Sequence, residues 1–157
     1  FGTGTHATTQ LCLQQIECQA LKGLRVLDWG CGSGVLAIAA LRLGAGSATG
    51  VDLDPKAMAA SRENALLNDV SDTLDLCKPD ELSDGERYDL VVANILASTI
   101  MELAPTLERH LKPQGVLILS GILAAQTDRV RACFAQYNLI SSHREEWACL
   151  YGSRIAS

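Results

Sequence analysis

The sequence predicts an α/β fold: a doubly wound, mostly parallel sheet of seven strands, with the last strand antiparallel. Short runs rich in Val, Ile and Leu alternate with longer stretches of helical period, as parallel strands joined by crossover helices do. A glycine-rich loop, Gly30 to Gly34, follows the first such run, and an acid, Asp52, closes the second. The bulk composition agrees with one soluble-type core. The chain has 157 residues, 48% hydrophobic and 20% charged, enough to bury a core without disulfides or metals. That apolar share excludes a disordered chain. The longest unbroken apolar run, Val35 to Leu41, is far short of the roughly 20 residues of a membrane span.

The elements follow in order. Thr8–Ala20 reads as an amphipathic helix behind an opening loop, Phe1-Gly2-Thr3-Gly4-Thr5-His6, with Thr8 or Thr9 as its N-cap. Leu24–Asp28 is the first strand, and Gly34–Leu43 is an alanine-rich helix with Gly44 at its C-cap. Ala48–Leu53 is the second strand. Pro55 then opens a helix carrying Ala57, Met58, Ala60, Ala65 and Leu67 on its apolar side, as far as Asn68. A short strand at Thr73–Cys77 and a polar loop from Lys78 to Arg87 come next. Tyr88–Asn94 has the continuous apolar character of a strand covered on both faces, and leads into a helix over Ser98–His110. Lys112-Pro113-Gln114-Gly115 is turn chemistry before a strand at Val116–Ser120. A helix over Ala124–Tyr137 and two extended segments, Leu139–Glu145 and Ala148–Ile155, complete the chain. No repeat or linker divides it, so residues 1–157 read as one domain.

In such sheets ligands sit outside the carboxyl ends of the strands, at the point where strand order reverses. Function is therefore expected after Asp28, Val51, Asn94 and Ser120. The first of these places holds Asp28-Trp29-Gly30-Cys31-Gly32-Ser33-Gly34, whose alternate glycines permit positive φ and close approach of backbone to ligand. The spacing is G-x-G-x-G, with Val35 where a dinucleotide fingerprint places its third glycine. Asp52 lies 52 − 30 = 22 positions after Gly30, the place of an acid that accepts from ribose hydroxyls. A cap is its other role, but Asp54, directly before Pro55, suits that better. Asp28 would repel a pyrophosphate and suits a ligand with a positive group, which argues against NAD and an oxidoreductase. Asn94 closes an apolar strand at the ligand edge. It either caps the next helix or hydrogen-bonds cofactor or acceptor.

Six cysteines show no two-residue spacing of a zinc or redox motif and read as reduced structural thiols, with no metal site. The formal charge of −5 disfavours direct binding of nucleic acid.

These residues resemble the class I S-adenosylmethionine-dependent methyltransferases, and within them the family that methylates ribosomal protein L11. The stretches that carry the resemblance are Phe1 to Thr9, Asp28 to Ala40, Gly50 to Pro55, Val91 to Ala97, Leu111 to Gly115 and Ser120 to Leu123. Glu145-Glu146-Trp147 and Gly152-Ser153-Arg154 match as well. The resemblance implies a Rossmann-like sheet, S-adenosylmethionine as cofactor, and methyl transfer to Lys side chains and the α-amine of a large-subunit ribosomal protein in the cytoplasm. Carried over by position, the cofactor contacts fall on Thr9, Gly30, Asp52 and Asn94. With Asp28, Gly32 and Thr3 they make the expected binding set, and Asn94 is the expected orienting residue. The opening segment and helix over residues 1–20 would cover the cofactor, with His6 as a hydrogen-bonding support rather than a base. The family's N-terminal substrate-docking domain is expected to be missing from this chain. The alternatives are a methyltransferase of the same fold acting on a small molecule or RNA, and a non-catalytic cofactor-binding module.

Overall fold

The computed structural model describes residues 6–155; the expected site residue Thr3 lies outside them. Seven strands form one sheet: β1 Arg25–Trp29, β2 Ser47–Val51, β3 Leu74–Cys77, β4 Tyr88–Asn94, β5 Leu111–Leu123, β6 Ile140–Arg144 and β7 Trp147–Ser153. Their order is β3-β2-β1-β4-β5-β7-β6. The pairs from β3 through β5 are parallel, and β7 runs antiparallel to both β5 and β6. The last strand in the chain is thus the antiparallel one, as the sequence predicts, inserted one place in from the edge. Strand order reverses between β1 and β4.

Alternation along the strands sorts the core into two layers. Val26, Leu90, Val92 and Ile118 pack against α1 (Ala7–Glu17) and α2 (Val35–Arg42). Leu27, Val91, Ala93, Leu117 and Leu119 face α4 (Ala97–Arg109) and α5 (Thr127–Ala132). α3 (Pro55–Leu67) begins at Asp54, whose side chain accepts from the Lys56 amide. This is the cap predicted for that residue. The period of two carries the α1–α2 face to the strand ends at Asp28, Asn94 and Ser120, so three polar side chains finish on one face beneath α1. All three are buried.

Three local expectations are corrected. The N-cap of α1 is His6, not Thr8 or Thr9: the Thr8 amide donates to His6 Nδ1 at 3.2 Å, and Thr8 Oγ1 lies 2.8 Å from the same nitrogen. The residues Lys112 to Gly115 do not separate two elements. β5 already pairs Leu111 with Tyr88 and resumes at Val116 opposite Leu90, so the turn is an irregularity within one strand. Lys112 there meets Asp89 at 3.0 Å. A second irregularity sets Ser120 and Gly121, the latter at φ 87°, between the Leu119–Leu150 and Ile122–Ala148 pairs. The helix expected over Ala124–Tyr137 is a short 3-10 turn at Ala124–Gln126, then α5, then a run of turns.

The six cysteines are free thiols; Cys12, Cys31 and Cys149 are buried, and Cys18 and Cys133 are exposed. Among the described residues no group of His, Cys, Asp and Glu is placed to hold a metal, and no helix is long and apolar enough to cross a membrane.

Candidate cofactor-binding site

β1 ends in a loop that needs glycine at three places. Gly30, Gly32 and Gly34 have φ of 75°, 55° and 83°. At Gly30 a Cβ would meet Ile95 Cγ2 at 2.6 Å, whereas at Gly32 it would meet nothing within 4 Å. The loop is tied to β2 by the Val51 carbonyl, which accepts from the Gly30 and Cys31 amides. Asp52 stands at the end of β2 and accepts from the Gly32 amide at 2.9 Å and from the Asp54 amide at 3.0 Å. These bonds fix the plane of the carboxylate, and each oxygen keeps further acceptor capacity for a ligand hydroxyl.

On the other side, α3 holds the loop by its carbonyls. Ser61 Oγ donates to the Gly32 carbonyl at 2.8 Å, and Asn64 Nδ2 donates to the Ser33 carbonyl at 2.9 Å. Neither residue stands out in the sequence, where a serine and an asparagine three apart on a helix read as ordinary polar surface. Their shared face at that spacing is the one available signal.

Asp28, Gly30, Cys31, Gly32, Val35, Leu36 and Asn94 line a small cleft of about 80 Å³ at the reversal of strand order. Two acceptors in its lining have no partner among the described residues: Asp28 Oδ2 and Asn94 Oδ1, both buried. Burial pushes the Asp28 carboxyl up to about 7; the Ala37 backbone opposes the shift, and the negative charge of Asp52 adds to it. Asn94 is oriented from α1, its Nδ2 donating to Thr9 Oγ1 at 3.3 Å. Ser120 Oγ donates to the Thr8 carbonyl at 2.9 Å and so secures the start of α1 over the strand ends. His6 caps that start and sets its ring edge-on to Trp147, with centroids 5.5 Å apart. The expected site residues within the described chain are therefore brought together. Asp28, Gly30, Gly32 and Asn94 share the cleft, Asp52 is bonded to Gly32, and Thr9 is bonded to Asn94.

The sequence model of one family, "Ribosomal protein L11 methyltransferase (PrmA)", matches residues 1–155. The chain belongs to that family. Its curated relatives include the ribosomal protein L11 methyltransferase of Chromohalobacter salexigens, 54% identical over 99% of this chain and 53% of that protein. That of Pectobacterium carotovorum is 49% identical over 100% of this chain and 54% of its own length. The chain thus spans about half the length of the curated relatives it matches. Among solved structures, the ribosomal protein L11 methylase of Lactobacillus delbrueckii subsp. bulgaricus aligns with a TM-score of 0.89 at 38% identity, over 96% of this chain and 80% of that one. An RNA methyltransferase of Salinibacter ruber, solved with S-adenosyl-L-homocysteine, has a TM-score of 0.73 at 18% identity over 94% of this chain and 92% of its own. The fold is common to both.

Proposed function

We propose that the protein transfers methyl groups from S-adenosylmethionine to amino groups, Lys side chains and an α-amine, of ribosomal protein L11. One observation supports the cofactor above the others. Two buried acceptors, Asp28 Oδ2 and Asn94 Oδ1, lack donors in the cleft where a glycine loop leaves room for a ligand. A buried acceptor without a partner is costly and fits a ligand that brings an ammonium. The residues present suit the cofactor in its parts: Asp52 for the ribose hydroxyls, Gly30 and Gly32 for close backbone approach, and Asp28 with Asn94 for the cationic end. The names of the family and its curated relatives support the protein substrate.

When bound, the cofactor would supply a methyl group carried on a sulfonium, whose neutral thioether is the leaving group when an amine takes up the methyl. The chain's own work is to hold donor and acceptor aligned and to exclude water. The acceptor amine must be neutral. An α-amine with a pKa of about 8 is partly neutral already, and a lysine at about 10.4 sheds its proton more readily on entering a desolvated cleft. Asn94, held by Thr9, orients the amine or the methionine end of the cofactor through Oδ1. His6, occupied as the cap of α1, supports the cover rather than acting as a base.

Calorimetric titration tests this reading. S-adenosylmethionine should bind, and Asp52→Ala should weaken binding at least tenfold. Binding of NAD in its place, or a silent Asp52→Ala, would overturn the cofactor assignment. Labelled methyl transfer into ribosomal extract should survive ribonuclease; loss of the labelled product on ribonuclease treatment would make RNA the acceptor.

A further inference from the structure

We propose that Ser61 and Asn64 of α3 are positioning residues for ligand selectivity: by holding the carbonyls of the glycine loop they set the orientation of Asp52, and with it the preference for a ribose over a deoxyribose ligand. This inference rests on the reading of Asp52 as the ribose acid. It adds residues that never touch the ligand yet govern how well that acid does its work.

The argument turns on Gly32. Its amide donates to Asp52 Oδ2 and its carbonyl accepts from Ser61 Oγ, so a single residue is bonded to the acid on one side and to α3 on the other. Glycine has the widest backbone freedom of any residue, and three glycines at alternate positions make a loop with little stiffness of its own. Beyond one internal turn, in which the Gly34 amide donates to the Cys31 carbonyl, its shape comes from outside. β2 supplies the Val51 carbonyl at the start of the loop, and α3 supplies two donors further along, Ser61 to Gly32 and Asn64 to Ser33. Because the peptide unit is planar and trans, fixing the Gly32 carbonyl toward α3 turns the Ser33 N–H away from α3, and together with the Val51 bonds to Gly30 and Cys31 it holds Gly32 on both sides of its α-carbon. If the carbonyl is released, Gly32 keeps only its neighbours' bonds (Gly30 and Cys31 to Val51, Ser33 to Asn64, and the Gly34 amide to the Cys31 carbonyl), so its φ and ψ loosen and its amide's bond to Asp52 weakens. The carboxylate then keeps the Asp54 amide as the remaining bond that sets its plane.

Position 61 is also set by shape. A Cβ on Gly34 would lie 3.0 Å from Ser61 Oγ and 3.2 Å from Ser61 Cβ, so loop and helix are in close contact and a side chain at position 34 is excluded. Cys31 Sγ is 3.8 Å from Ser61 Oγ. Burial pushes that thiol up to about 12, so it stays protonated, and the S–H donates to the serine, whose own hydrogen is taken by Gly32. The serine is therefore fixed as a donor to the loop. Ser61 is fully buried; Asn64 is partly exposed, so its removal tests the same contact with little disturbance to the core.

The experiment measures dissociation constants for S-adenosylhomocysteine and its 2′,3′-dideoxy analogue, by calorimetry, in the unaltered protein and in Ser61→Ala, Ser61→Cys, Asn64→Ala, Asp52→Asn and the pair Ser61→Ala with Asp52→Asn. Loss of one aligned hydrogen bond should weaken the ribose ligand by roughly five- to tenfold in Ser61→Ala and Asn64→Ala. The dideoxy analogue should change by less than about twofold, because it makes no use of Asp52. Ser61→Cys, close in size and a weaker donor, should fall between. Adding Ser61→Ala to Asp52→Asn should cause almost no further loss, since both act through one carboxylate. Equal losses for the two ligands, or additive losses in the pair, would overturn the proposal and leave a simple packing role. If Ser61→Ala fails to fold, the two dissociation constants of Asn64→Ala decide between these outcomes by themselves. A different pattern, in which the unaltered protein fails to bind S-adenosylhomocysteine or Asp52→Asn leaves the ligand ratio unchanged, removes the ribose-acid reading and this inference with it.

Discussion

Replacing Asp28 by Asn should make the ligand-free protein more stable at pH 8 and, in the same variant, abolish most of its affinity for S-adenosylmethionine. The two effects have one cause. Asp28 is about 1% exposed, its Oδ2 has no partner among the described residues, and burial raises its carboxyl to about 7. In the unfolded chain the same group titrates near 3.9. A carboxyl with a raised folded-state value stabilises the fold most when it is protonated. Its contribution is fully present below about pH 4, declines between about pH 4 and 7, and is gone above. Three units at about 1.4 kcal/mol each bound the swing at about 4 kcal/mol. The neutral amide escapes the charge but still needs partners for its N–H groups, so a gain of about 1–3 kcal/mol at pH 8 is expected. Melting curves at pH 5 and pH 8 check it: the variant's advantage should be present at pH 8 and absent at pH 5. An advantage equal at both pH values would show that the carboxylate carries no such burden.

The ligand side has the opposite sign. A cationic group placed against Asp28 favours the carboxylate, so binding must displace the proton whenever the pH is below about 7. Affinity should therefore fall, by up to tenfold per unit, as the pH drops from 7 to 5. Asp28→Asn should be weak throughout and free of that slope. Affinity that ignores pH in the unaltered protein would dissociate Asp28 from the cationic end of the ligand. With the slope present, Asp28 is a residue whose instability in the free state is relieved by its ligand.

How much of this was legible in the sequence differs from element to element. β4 holds a continuous apolar run, Leu90 to Ala93, because both its faces are covered, and such a run announces itself. The clustering of Asp28 and Asn94 follows from the period of two and the reversal of strand order, both of which the sequence implies. The start of α1 was not legible, because imidazole does a cap's work there and capping preferences concern hydroxyls, carboxylates and carboxamides. The end of α5 misleads for a different reason. Val130, Phe134 and Tyr137 keep a helical spacing, but the amides of Cys133, Phe134 and Tyr137 bond three residues back rather than four. Successive tight turns keep the apolar side chains on one face, so Phe134 is still fully buried after the helix has stopped. Ser61 and Asn64 were illegible as site residues because what they do depends on a loop about thirty positions earlier, which no local pattern reveals.

Gly30 and Gly32 should separate folding from binding when each is changed to Ala. Both have positive φ, and an L-residue there costs about 1–2 kcal/mol of backbone strain. Gly30→Ala adds a steric conflict, with the new methyl 2.6 Å from Ile95 Cγ2, and overpacking of that kind costs about 1–3 kcal/mol more. The loss should be about 2–5 kcal/mol in denaturant unfolding, and Ile95→Ala in the same chain should recover the steric part while leaving the backbone part. Gly32→Ala meets no atom within 4 Å, so its stability loss should stay at about 1–2 kcal/mol. Its methyl nonetheless projects from a residue that lines the cleft, beside the amide that holds Asp52. If the loop's glycines are there for the ligand, Gly32→Ala should lose at least tenfold in affinity for S-adenosylmethionine while remaining folded. Full affinity in Gly32→Ala would mean that the ligand does not approach the backbone at this point. A loss of folding as large as that in Gly30→Ala would mean that the open space beside Gly32 is needed by the fold itself. The pair thus isolates what the glycine loop does for the chain from what it does for the ligand: Gly30 is required because Ile95, the residue after β4, is already there, and Gly32 because something else must be.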